Sequence, residues 1–300
     1  MVLDALKYTG GRSKVFETEV TARRAMNYAA ALDDGNPRYF DDTRPGGIIA
    51  PPMLAVALTW PISGRFAEFW GDSGFPYEVL RRQVHYSERI EWARPLAPGD
   101  RLSISGVVRA IEAHRAGTHL VLEYTAVDGA GGVVFVERIG GLLRGVRCEN
   151  GAAPEAWEGG LFAGCAPVWE SELPVDALAA HRYDAGADIH FPIHTSPAFA
   201  GAVGLPGIIY HGTATLSLAV RELVNREAGG APELVRAAGC MFTSMVRPGT
   251  AIRVRLLGGE QTDAGMRYHF DVVNCEGKPA VSGGFLEIGP PAGRAGRDNG

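Results

Sequence analysis

Two loops carry the residue types that move protons, and they read as one motif written twice. The first runs Asp34-Gly35-Asn36-Pro37-Arg38-Tyr39 and leads to Gly47-Ile48-Ile49-Ala50-Pro51-Pro52. The second runs Ile189-His190-Phe191-Pro192-Ile193-His194 and leads to Gly207-Ile208-Ile209-Tyr210-His211-Gly212. Tyr28 and Tyr183 precede the two loops by the same interval. Each copy keeps a different half of the polar set. The first has Asp34 and Asn36 but ends in Tyr39; the second has His194 but places Ile189 and Phe191 in the Asp and Asn slots. Histidine is the side chain whose charge changes near neutral pH, so acid–base chemistry is what the second loop could do. Unequal copies imply one working site and one supporting half.

The bulk of the chain excludes several other classes. The 300 residues permit one large domain or two ordinary ones, and the apolar content supports a packed core. The net charge of −5 is mild and no Lys/Arg run resembles a nucleic-acid footprint, so a nucleic-acid partner is not expected. No apolar stretch reaches membrane-spanning length, and the first residues, Met1 to Lys7, do not read as a secretory signal. Cys148, Cys165, Cys240 and Cys275 are scattered without a Cys-x-x-Cys pair, which points to reduced thiols rather than zinc or disulfides. A cytoplasmic protein is the expectation.

The elements that must position these loops repeat as well. Residues 20–33 predict a helix with Thr21 as its N-cap, and a second, apolar helix starts near Pro51-Pro52, where proline lacks only an N–H that has no helical partner. Met53, Leu54, Val56, Ala57, Leu58 and Trp60 make that helix apolar nearly all round, hence buried. Strand-like runs follow at 83–92, 101–111, 119–127 and 133–143, joined by short turns, which predicts an antiparallel sheet. After a Gly/Ala/Pro-rich linker at 147–168 come a helix at 176–187, a helix from His211-Gly212, and strands at 237–246, 251–258, 266–274 and 279–288. The turns Ala97-Pro98-Gly99-Asp100 and Arg247-Pro248-Gly249-Thr250 correspond. The expected organisation is a first half at 13–146, the linker, a second half at 169–289 and a disordered tail at 290–300. Each half is α+β. Pairing the two sheets edge to edge would hide their free edges and give one pseudo-two-fold unit.

The segment from Ile193-His194-Thr195-Ser196-Pro197 through Gly207-Ile208-Ile209-Tyr210-His211-Gly212 resembles the MaoC-like, (R)-specific enoyl-CoA hydratases and dehydratases, and residues 13–290 resemble their double hot-dog members. The resemblance implies two antiparallel sheets, each wrapped around an apolar central helix. It implies reversible hydration of a 2-enoyl-CoA, or dehydration of a 3-hydroxyacyl-CoA, with the acyl-CoA or acyl-carrier-protein thioester as partner. It implies neither a metal nor another cofactor. In that family an Asp and a His activate a water, and N–H groups at the helix start polarise the thioester carbonyl.

Carried over residue by residue, His194 matches the family His, and His211-Gly212 match the helix-start pair, with the Gly212 N–H as oxyanion donor. Ile189 and Phe191 stand in the Asp and Asn slots. Asp188, one residue upstream, would serve if a small backbone shift set it beside His194. His211, His190 and Tyr210 are the substrate-contact candidates. Plainer readings stand beside these: a loop-capping Asp188, an exposed His190, a close-packed Gly212 and turn residues at Asp34 and Asn36. The pairs Arg23-Arg24 and Arg81-Arg82 could meet CoA phosphates, with solvated surface as the alternative.

The first alternative to a hydro-lyase is a degenerate, non-catalytic acyl-CoA-binding or partner subunit, which the missing Asp and Asn favour. The second is a hot-dog thioesterase. Such enzymes place a carboxylate on or near the central helix, whereas here 213–220 is apolar and Glu222 comes only near the end. Edge strands leave room for a homodimer.

Overall fold

Thr21 opens the first long helix as the sequence implies, its Oγ1 accepting the Arg24 N–H at 3.1 Å. The structure, a computed structural model, describes residues 1–71 and 74–290, without the side chains of Arg81 and Arg82. The CoA-phosphate reading of those two arginines and the tail at 291–300 therefore lie outside the described residues.

The amino-terminal half contains β1 (Val2–Asp4), α1 (Ala5–Tyr8), β2 (Phe16–Glu19), α2 (Ala22–Ala31), α3 (Pro37–Phe40), α4 (Leu54–Gly64) and α5 (Phe66–Trp70). The strands β3 (Gln83–Trp92), β4 (Arg101–His114), β5 (Gly117–Asp128), β6 (Val133–Arg144) and β7 (Arg147–Glu149) follow. The second half contains β8 (Trp169–Val175), α6 (Ala179–Ala187), α7 (Pro197–Ala202), α8 (Gly212–Glu227), β9 (Val235–Phe242), β10 (Thr250–Thr262), β11 (Gly265–Asn274) and β12 (Pro279–Ile288).

Ten strands make one sheet in the order β2-β4-β5-β6-β3-β9-β12-β11-β10-β8, every neighbouring pair antiparallel. The order is the same read from either end once one half is exchanged for the other. The expected edge-to-edge joint is β3 against β9, where Arg89 faces Gly239. These two residues stand at the same sequence interval as Pro98 and Pro248, so the pseudo-two-fold axis passes between them. Tyr28 and Tyr183 meet on the same axis, hydroxyl to hydroxyl at 3.1 Å, and Tyr28 also bonds Ser217 at 2.9 Å. Buried tyrosine hydroxyls need partners, and the axis supplies them.

Both central helices sink into one core. Leu54 through Thr59 and Ile62 are buried in α4; Ala214 through Val220, Leu223 and Val224 are buried in α8. The helices α2 and α6 cross closely because Gly186 lacks a Cβ, which would stand 2.7 Å from the Asn27 carbonyl oxygen. The segment read as a linker is held against the outer face of the sheet. Trp157 donates to the Gly283 carbonyl at 2.7 Å, and Glu158 pairs with Arg89 of one half and Arg267 of the other.

Candidate active site

Helix α6 ends in Asp188, whose left-handed backbone (φ 56°) caps the helix and releases the loop that carries His194. Pro192 starts a short 3-10 turn that His194 ends. Two bonds tie this turn to the approach to α8: the Ile209 N–H donates to the Ile193 carbonyl at 3.2 Å, and His194 Nδ1 lies 2.9 Å from the Ile209 carbonyl oxygen. A carbonyl only accepts, so Nδ1 carries the proton and Nε2 keeps its lone pair.

His211 is the N-cap of α8, and its ring stacks on His194 with centroids 3.7 Å apart and planes 22° from parallel. Burial lowers the His194 pKa to about 4, the carbonyl of Ile209 and the charge of Asp184 offsetting part of the effect. Burial and the neighbouring His194 lower that of His211 to about 2, against a smaller opposing contribution from the Ile189 backbone. Both rings are neutral at pH 7. Gly212 begins α8, and the Phe242 ring lies 3.1 Å from the point a Cβ would occupy. The first-turn N–H groups of a helix have no intrahelical partners and carry a positive partial charge, so this end of α8 suits an oxyanion.

The sequence-derived candidates do not all converge here. His194, His211 and Gly212 are brought together. Asp188 is not: its left-handed backbone turns the carboxylate outward, 75 % exposed, onto His190 Nε2 at 2.8 Å. The expected shift toward His194 does not occur, and Ile189 fills the inward position instead. His190 bridges Asp184 and Asp188 on the surface, its pKa raised first by the Asp184 bond. Tyr210 is buried beside His211, and it also lines a separate cleft of about 570 Å³ with Asp34, Asn36, Arg182 and Arg221.

In the first half, Asp34 accepts from the Asn36 N–H at 3.2 Å and Asn36 accepts from the Arg38 N–H at 2.9 Å, so both shape the turn. The Asn36 amide also donates to the Gly230 carbonyl of the other half at 3.0 Å. Arg24 is spent inside, on Thr18, Glu19 and Ala57, and Arg23 is exposed.

Three polar residues near the site escape sequence reasoning: His85 and Glu88 on β3, and Glu137 on β6. His85 Nε2 lies 3.1 Å from Glu88 Oε2, and Glu88 and Glu137 are buried side by side with their pKa values raised, first by burial. The available signal was phase. Glu88 falls on the same side of its strand as the core residues Ile90 and Trp92, where a carboxylate is out of place.

The fold and site together define a double hot-dog protein with a histidine pair at the start of one of its two central helices. Residues 164–276 match the family model described as MaoC like domain, and residues 7–137 match the one described as FAS1-like, dehydratase domain region. The second half thus carries a MaoC-like domain and the first half a FAS1-like dehydratase region. It is 27 % identical over 242 residues to the enoyl-CoA hydratase ChsH3 of Mycobacterium tuberculosis, covering 77 % of this chain and 79 % of that protein. It is 28 % identical over 179 residues to 3-hydroxyacyl-thioester dehydratase Y of the same organism, covering 56 % and 59 %. Among solved structures, a MaoC-like dehydratase from Phytophthora capsici superposes with a TM-score of 0.80 at 21 % identity, covering 92 % of this chain and 94 % of that one, a likeness of fold.

Proposed function

We propose that the protein is a hydro-lyase that adds water reversibly to a 2-enoyl thioester at the start of α8. The observation that carries this reading is the neutral His194, whose Nδ1–H is fixed on the Ile209 carbonyl, whose Nε2 is left as a base, and whose ring stacks on the N-cap of α8. In the hydration direction Nε2 takes a proton from water while its oxygen bonds to the β-carbon. The double-bond electrons move toward the thioester carbonyl, and the Gly212 N–H stabilises the charge that forms there. A proton then reaches the α-carbon. Water and protons are the only co-reactants, so the chemistry calls for no cofactor beyond the CoA or carrier-protein thioester itself.

The absence of a carboxylate from the Asp slot favours a second reading, an acyl-thioester-binding or partner subunit. General acid–base assistance is worth about two to four orders of magnitude, so a missing carboxylate slows hydration without abolishing it. Thioester hydrolysis is disfavoured because Glu222 is engaged with Ser171 and Arg221. Loss of enoyl absorbance across a panel of trans-2-enoyl-CoAs tests the proposal. Turnover of any member supports it, and binding without turnover of all of them supports the partner subunit.

A further inference from the structure

We infer that His85, contributed by the amino-terminal half, is the second acid–base group of the site at the start of α8, with the Glu88 carboxyl, 3.1 Å from its Nε2, as its proton partner. The inference rests on the hydratase reading above and supplies the proton donor that Ile189 and the outward Asp188 leave missing.

A β-bulge aims the side chain. Along β3, His85 faces Gly141 and Ser87 faces Gly140 of β6, so Tyr86 is the extra residue. Trp92, Ile90 and Glu88 alternate onto the helix side, and an unbroken strand would continue with Tyr86. The bulge sends Tyr86 to the outer face instead, against His114 and His119, and swings His85 inward. There its ring lies 4.6 Å from that of Phe242, the same ring that packs at the Gly212 position. His85 is close enough for its charge to act on His194.

The pseudo-symmetry selects this site over its counterpart. Strand β9 carries the equivalent bulge at Arg236, between Ala237 and Val235 in their pairing with β12. At the interval that relates Arg89 to Gly239, His85 corresponds to Val235 and Glu88 to Ala238. The half that carries His194 therefore joins a seam strand bearing His85 and Glu88, whereas the positions related to them by the pseudo-two-fold hold Val235 and Ala238. Two independent asymmetries, one in the loops and one in the seam strands, fall on the same site.

Glu88 is fully buried, and neither carboxyl oxygen has an aligned hydrogen-bond donor, an arrangement that stability alone does not favour. Titratable groups face it and His85 from every packed element: Tyr124 from β5, Glu137 from β6, Tyr183 from α6, Cys240 from β9 and His194 from the loop. In the hydration direction His194 Nε2 accepts the proton from water as the C–O bond forms at the β-carbon. His85 gives its Nε2 proton, held at rest on the Ser87 carbonyl at 3.1 Å, to the α-carbon as the C–H bond forms, and the Glu88 carboxyl, 3.1 Å from the same nitrogen, replaces it. The extra proton on His194 returns through solvent to the Glu88–His85 pair, so the enzyme ends as it began.

The test is steady-state hydration of trans-2-butenoyl-CoA by the full chain, comparing wild type, His85→Gln and Glu88→Gln, with thermal unfolding to confirm the fold. His85→Gln is expected to lower kcat about 100-fold with KM within threefold, and Glu88→Gln to lower it about tenfold. Should His85→Gln not fold, His85→Phe, which can pack on Phe242, carries the same expectation. A kcat within threefold of wild type in the histidine variant, or a loss that appears in KM alone, overturns the inference while leaving the hydratase reading intact. No turnover by the wild type overturns both.

Discussion

His194 and His211 are two stacked imidazoles kept neutral by burial, which makes them useful as bases and costly in acid. An unfolded histidine binds a proton near pH 6.5. His194 in the fold does so only near pH 4 and His211 near pH 2. Their contribution to stability is therefore complete above pH 6.5 and is lost as pH falls toward those values, by up to about 1.4 kcal/mol per pH unit for each ring. Glu88 and Glu137, with raised values, act in the opposite sense, and their effect cancels when variant and wild type are compared. His211→Phe should flatten the fall in Tm between pH 7 and pH 4.5; parallel curves would contradict this account. The His194, His211 and Gly212 cluster was legible because the motif spacing fixes which residues begin a helix. The position of Asp188 was not, because nothing in the residue order announces a left-handed backbone that turns a carboxylate away from the loop it precedes.

At the scale of elements, close approaches set the limits. Gly239 sits at the β3–β9 joint, where an added Cβ would stand 2.7 Å from the Phe285 ring and 2.9 Å from the Glu88 carbonyl oxygen. Gly239→Ala should cost about 1–3 kcal/mol, read as a lower denaturant midpoint, because neither neighbour can retreat cheaply. Gly186→Ala should destabilise by a similar amount, about 1–3 kcal/mol, by wedging α6 away from α2. An unchanged midpoint in both variants would show that these crossings yield. Helices α2, α4 and α8 and the long strands were readable from caps, periodicity and turn residues. The edge strands β2 and β8 escaped because short edge strands alternate too briefly to stand out. The bulge at Tyr86 escaped because polar and apolar residues alternate through it without a break; only the partner strand reveals that one residue is extra.

For the molecule as a whole, the duplicated turns and loops implied two alike halves, and the need to cover sheet edges implied their union, which the ten-stranded sheet realises. The linker at 147–168 also bridges the halves, and composition alone does not show that Trp157 and Glu158 bind across the joint. The union bears on the proposed function: at the start of α8, Phe242 packs both at the Gly212 position and on His85 of the opposite half, so one chain holds two pseudo-equivalent places lined by unlike residues. The central claim is that only the place beside α8 works. The most direct measurement compares 2-enoyl-CoA hydration by wild type, His194→Ala and Asp34→Asn, with unfolding curves confirming that both variants fold. The account predicts that His194→Ala loses about two to four orders of magnitude in kcat while Asp34→Asn stays within about threefold of wild type. A collapse of turnover in folded Asp34→Asn, with His194→Ala still active, would place the chemistry in the other half and contradict it.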